Sequence, residues 1–146
     1  MTTLHYMTAP LPIRFRKSTL ARLRLRSQAV PGSTPSGLAQ RFVEEGLRME
    51  EHPGVVFKNG STGRRAALSN GPDIWEVVRA LREIDERGED AIAAVAELMD
   101  LPAARVRTAI RYYGEFPDEI NAEISQNVAE AEAAHEAWQA QRRLLA

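Results

Sequence analysis

No cysteine occurs among the 146 residues, which excludes a disulfide scaffold and any thiolate-ligated metal and suits a reducing compartment. No run of about 18 apolar residues is present to span a bilayer. The opening Met-Thr-Thr-Leu-His-Tyr lacks a charged stretch followed by an apolar one, so the expectation is a soluble, cytoplasmic protein that does not enter a membrane. Catalytic constellations are missing as well. The three histidines, His5, His52 and His135, stand apart, without the His-Glu-x-x-His spacing of a metal-binding helix. There is no Gly-rich phosphate loop and no thiol nucleophile, and the pairs Asp85-Glu86 and Glu89-Asp90 fall around a helix end, where solvated charge is the default. No catalytic residue, metal ligand or cofactor is expected, and the chain does not read as an enzyme.

Acidic residues are absent from the first 43 positions. The net charge of −1 therefore conceals a polarity: residues 1–50 carry 8 Lys/Arg against 3 Glu, a net of +5, while residues 51–146 carry 11 basic and 17 acidic residues, a net of −6. A basic N-terminal module points to a polyanionic partner. Within it, Leu-Pro-Ile-Arg-Phe-Arg-Lys at 11–17 alternates apolar and basic. On a strand, Ile13 and Phe15 would face a core while Arg14 and Arg16 project together from the other side.

Two helix-sized segments follow. Ser18 and Thr19 are candidate N-caps for a helix over 20–29, with Leu20 and Leu23 on a narrow stripe. Val30-Pro31-Gly32 breaks it. Thr34 then caps a second helix from Pro35 to about residue 50, with Pro35 pre-set for the first helical position and Leu38, Ala39, Phe42, Val43 and Leu47 at three- and four-residue steps. A six-residue strand cannot stand alone, because its backbone groups stay unpaired and two short helices bury little area. Pairing with the same strand of a second chain solves both problems, so the module reads as an obligate dimer.

Strand, helix, turn and helix over residues 11–50 resemble the ribbon-helix-helix family, whose paired strands enter the DNA major groove. The resemblance implies double-stranded operator DNA as partner, with Arg14 and Arg16 reading bases and Lys17 holding phosphate. Further phosphate contacts fall to Ser33, Thr34 and Ser36 at the start of the second helix. The turn over 27–33 is longer than is usual in that family.

A second module spans 52–127. Two short strands over 55–68 are expected around Asn59-Gly60, then Asp73 as N-cap of a helix over 74–86. A pair over 90–99 and 103–113 joined at Asp100-Leu101-Pro102 reads as a helix-turn-helix unit. Arg105, Arg107 and Arg111 on its second helix form a possible second DNA contact, although Glu89, Asp90, Glu97 and Asp100 surround them. Tyr112 and Tyr113 read as core. His52-Pro53-Gly54-Val55, Gly71-Pro72-Asp73-Ile74-Trp75 and the run from Leu101 to Tyr113 are similar to the hairpin-plus-helix-turn-helix domains grouped as domain of unknown function 433. Many members of that family are antitoxins whose partners are PIN-like ribonuclease toxins.

A final helix is expected from residue 119 to 145, its last part, 128–146, forming a tail. Residues 117–146 hold 6 acidic and 2 basic residues, fit for an acidic amphipathic helix lying across a basic partner surface. Ile124, Val128, Trp138 and Leu144 are its toxin-binding candidates; a dimer helix or frayed tail is the alternative. The fold class expected is mostly α: a ribbon-helix-helix dimerisation module, a winged-helix-like module of hairpin and helix-turn-helix, and a C-terminal helix. The function expected is that of an antitoxin of a type II toxin-antitoxin pair that also binds DNA as a homodimer or higher homo-oligomer to repress its own operon. A stand-alone transcriptional regulator is the alternative.

Overall fold

The computed structural model describes residues 7–60 and 63–146. It is mostly helical, with one two-stranded antiparallel sheet among the described residues. The order is α1 (Lys17–Ala29), α2 (Pro35–Glu51), β1 (Val55–Gly60), β2 (Gly63–Leu68), α3 (Ile74–Glu83), α4 (Glu89–Leu98), α5 (Ala103–Glu115) and α6 (Pro117–Leu145). No helix among the described residues is long and apolar enough to cross a membrane.

Two compact units divide the chain, Met1–Glu44 and Glu45–Ala146, so the division falls inside α2 rather than after residue 50. Its last turns belong to the second unit because their side chains are committed there. Glu45 accepts from Arg64, Arg48 Nη1 donates to Tyr112 Oη at 2.8 Å and to Glu119 Oε1 at 2.9 Å, and His52 Nε2 meets Glu115 Oε2 at 2.6 Å.

In the first unit, residues 7–16 form no strand. A strand needs a neighbour for its N–H and C=O groups, and β1 and β2 pair with each other. Helix α1 starts three residues before the expected position, with Arg16 as N-cap and its carbonyl accepting from Leu20 N–H at 3.0 Å. Ser18 and Thr19 therefore lie inside the first turn and cap nothing. Helix α2 begins as the sequence indicates: Thr34 Oγ1 accepts from Gly37 N–H at 3.1 Å, the capping geometry that satisfies an orphan donor. Between the helices Ser27, nearly fully buried, and Ser33 lock together: Ser27 Oγ donates to Ser33 O at 3.2 Å and Ser33 Oγ to Ser27 O at 2.9 Å. The long turn is held by this reciprocal pair.

In the second unit the hairpin pairs Val55 with Leu68, Asn59 with Arg64 and Gly60 with Gly63. Asn59 and Gly60 are thus strand residues rather than the turn expected there; the chain reverses between Gly60 and Gly63, and residues 61–62 lie outside the described residues. Asp73 precedes α3, its N–H donating to Glu76 Oε2 at 2.8 Å, one half of a capping box. Helix α3 stops at Glu83 instead of 86 because Arg87 Nη1 gathers the carbonyls of Ile84, Asp85 and Glu86 at 2.9–3.0 Å, which takes those groups out of a helical ladder. Gly88, at φ +61° and ψ −135°, then makes a bend that a side chain would resist.

Between α4 and α5, Leu101 N–H reaches Ala96 O at 2.9 Å and Asp100 N–H reaches Glu97 O at 3.3 Å, with Asp100 at φ +52°. This is a Schellman ending with Asp100 in the left-handed position usually given to Gly or Asn. The core of the unit gathers Val55, Ala66 and Leu68 of the hairpin, Ile74, Val77 and Val78 of α3, Val95 of α4, Val106, Ala109 and Tyr112 of α5, and Ile120 of α6. Ile74, Val77, Val78, Val95, Val106 and Ala109 on these helices are buried, and so is Tyr112, as expected of a core residue.

Candidate nucleic-acid interface

The basic end of the first unit is open to solvent: Arg14, Arg16 and Lys17 are exposed, as are Arg22, Arg24 and Arg26 along α1. Arg14 and Arg16 precede α1 on a stretch whose apolar members are also uncovered, Leu11 at 78%, Ile13 at 55% and Phe15 at 42% exposure. The expected burial of Ile13 and Phe15 is therefore not met within one chain. They line a groove with Leu20 and Leu23 of α1 and Ala39 and Val43 of α2, while Phe42 helps line a second groove with Leu23 and Leu25. Among the described residues of this unit, Ser27 and Leu38 are the buried ones.

The three hydroxyls at the start of α2 differ. Ser33 Oγ is bound to Ser27 O, so it is not a ready phosphate donor. Thr34 Oγ1 is the acceptor that caps Gly37, and its own proton remains to be donated. Ser36 is exposed on the first turn. The positive end of the helix dipole adds to their attraction for an anion.

Of the second expected trio, Arg105 Nη2 donates to the Ser69 carbonyl and ties α5 to the end of the hairpin. Arg107 forms a two-pronged pair with Glu89, Nη1 to Oε1 at 2.9 Å; this hydrogen bond and the guanidinium charge hold the Glu89 carboxyl below its ordinary range and raise Arg107. Arg111 is exposed and lies 3.4 Å from Thr108 Oγ1. The three cations are thus split between a backbone anchor, a surface ion pair and one solvated group.

Along α6, Ile120 is fully buried and Ile124 packs against the core, so Ile124 is part of the unit's own interior rather than of a free face. From Val128 to Ala146 every residue is exposed. Val128, Trp138 at 51% and Leu144 at 86% exposure lie on this stretch, with the Trp138 ring stacked near His135 at 5.9 Å and under the Arg142 guanidinium at 4.9 Å.

Sequence reasoning missed two polar groupings. Asp73 binds Lys58 Nζ at 2.7 Å, Arg65 Nε at 2.9 Å and Trp75 Nε1 at 3.0 Å. Residues Glu51, His52 and Glu115 come together where α2 and α5 end, their donor atoms all within 4.8 Å of one another. Adjacent Glu51 and His52 were legible as a pair; Glu115, 63 positions away, was not. Comparison with family models, curated proteins and solved structures finds no match to this chain.

Proposed function

We propose that the protein is a dimeric DNA-binding regulator whose first unit reads an operator and whose second unit and tail hold a protein partner, in the manner of an antitoxin that restrains a PIN-like ribonuclease. The observation that carries this reading is the coincidence, over residues 11–17, of uncovered Ile13 and Phe15 with exposed Arg14, Arg16 and Lys17. Paired with the same segment of a second chain, this stretch gains backbone partners and cover for its apolar side chains. The ribbon so formed presents four arginines to a duplex. Each arginine can offer a bidentate fork to guanine, worth roughly 1–3 kcal/mol of discrimination per good pair.

The serine lock and the Thr34 cap support a defined start for α2, and the helix end with Thr34 and Ser36 suits a phosphate. The antitoxin part of the reading rests on the resemblance of residues 52–127 and on the exposed stretch 128–146 with Glu130, Glu132 and Glu136 ahead of Trp138. A ribonuclease surface shaped to bind RNA is basic, and an acidic helix with an aromatic anchor complements it.

The first test is mass measurement by light scattering together with gel shift on the protein's own upstream DNA. A dimer is expected, with operator binding that weakens steeply with salt. Replacing Arg14→Ala and Arg16→Ala together should leave the dimer intact and remove discrimination between operator and unrelated DNA. A monomer, or a double variant that still footprints the operator, defeats the DNA-binding reading. Co-purification with the product of the adjacent gene tests the antitoxin half separately; a regulator that binds its operator yet has no such partner is then a stand-alone repressor.

A further inference from the structure

We infer that Glu51, His52 and Glu115 form a binding site for a first-row transition-metal dication of the Zn2+ type, independent of the DNA-binding face. Three features of the second unit point to it. The donor set mixes one imidazole with two carboxylates, a combination that suits Zn2+, Co2+ or Mn2+ and is a poor match to the all-oxygen preference of Ca2+ and Mg2+. The imidazole is held in place: His52 is 9% exposed, its ring meets Tyr112 edge-on at 5.2 Å and Phe116 at 6.0 Å, and its backbone N–H donates to Arg48 O at 2.8 Å while its carbonyl accepts from Val55 N–H at 3.0 Å. A ligand ordered before the ion arrives costs less to organise. Finally, Glu51 is the last residue of α2 and Glu115 the last of α5, so each carboxylate stands at the negative end of its own helix, which favours a cation beside it, with the start of α6 at Pro117 opposing this in part at Glu115.

Arg48, one turn earlier on α2, is turned to Tyr112 Oη and Glu119 Oε1 and lies over the Phe116 ring at 3.9 Å, where the Glu119 carboxylate offsets its charge. Donor atoms within 4.8 Å of one another need modest closure to surround an ion at bond lengths of about 2.0–2.2 Å. Glu51 is exposed and the Glu115 side chain is 48% exposed, so both can swing. The 2.6 Å contact between His52 Nε2 and Glu115 Oε2 is closer than two ligands of one ion sit. The ion therefore takes the place of the hydrogen bond there, with His52 binding as a neutral imidazole through Nε2 and keeping its N–H on Nδ1. Water would complete the coordination on the exposed side. The bound ion staples the end of α2 to the end of α5.

The test uses the full chain, stripped with a chelator and titrated calorimetrically with ZnCl2, with MgCl2 and CaCl2 in parallel, while thermal unfolding is followed with and without Zn2+. One Zn2+ per chain is expected, with a raised unfolding temperature and no saturable heat from Mg2+ or Ca2+. Glu51→Gln and Glu115→Gln, both at exposed positions, should each weaken Zn2+ by about tenfold or more and abolish its thermal shift; because Glu115 also meets the packed His52, its variant is read beside a circular dichroism spectrum and a metal-free unfolding temperature matching the parent. His52→Gln is read only beside a circular dichroism spectrum that matches the parent, because that residue is packed. Zn2+ binding unchanged by both glutamine variants would place the ion at another histidine and overturn the assignment. So would the absence of a saturable one-to-one isotherm, or equal affinity for Mg2+.

Discussion

Glu123, on the inner face of α6, is a carboxyl whose value is pushed up to about 7, first by burial, then by the Glu119 and Asp73 carboxylates, against the opposing pull of Arg65. Its value in the folded chain lies above the ordinary 4.5, so across the interval between them the folded chain keeps a proton that the unfolded chain has released. Stability from this group falls as pH rises through that window. Glu123→Gln should therefore match the parent in urea unfolding at pH 5 and outlast it at pH 8; an equal difference at both pH values would refute the account. Tyr112, which also interacts with Glu119, is shifted far upward by burial and by that carboxylate, which accepts its O–H at 2.7 Å, so this phenol stays protonated. One helical turn before Glu123 in space, Ile120 is fully buried where α6 meets α3 and α5. Ile120→Ala leaves a cavity there and should cost about 2–5 kcal/mol in chemical denaturation.

At the scale of elements, the helices were legible where periodicity and a cap agreed. Thr34-Pro35 and Asp73 mark the starts of α2 and α3, and Pro102 precedes α5. Boundaries slipped where side-chain-to-backbone bonds compete with the helical ladder, as those of Arg87 do just past the end of α3. The hairpin was legible and its turn was not: Asn-Gly is a strong local turn signal, yet register across six pairs from Val55↔Leu68 outward places the reversal two residues later. The candidate site was half legible. Alternating Ile13-Arg14-Phe15-Arg16 is visible in one chain, but the cover it needs is not supplied by that chain, while the loss of Ser33 to the serine lock depends on a contact six residues away. Backbone demand can be isolated at Gly88, which has nothing within 4 Å of a would-be Cβ and φ +61°. Gly88→Ala should destabilise by about 1–3 kcal/mol through conformation alone, measured as a shifted urea midpoint.

For the whole molecule, the two units are unlike in how they hold themselves together. Residues 45–127 bury an apolar core drawn from hairpin and four helices, whereas the first unit leaves Ile13, Phe15, Leu25, Phe42 and Val43 uncovered. Unfolding should accordingly show two transitions, with the one from the first unit moving to lower temperature on dilution. Removing residues 128–146 should shift the second transition by less than about 0.5 kcal/mol, as expected when only solvated surface is lost, and, under the proposed function, should abolish binding of the protein partner. A scan against protein concentration checks the first expectation, and calorimetry of the shortened chain the second.

The exposed length of α6 also bears on how long the molecule lasts. Helical turns with no packed neighbour open at little free-energy cost, so a peptidase finds its first foothold there, at Ala-rich turns carrying Glu130, Glu132 and Glu136. Any partner seated along these turns shields the same bonds from cleavage. Under the proposed function occupancy and half-life are linked, and cleavage along 128–146 is expected to be faster in the chain alone than in the complex.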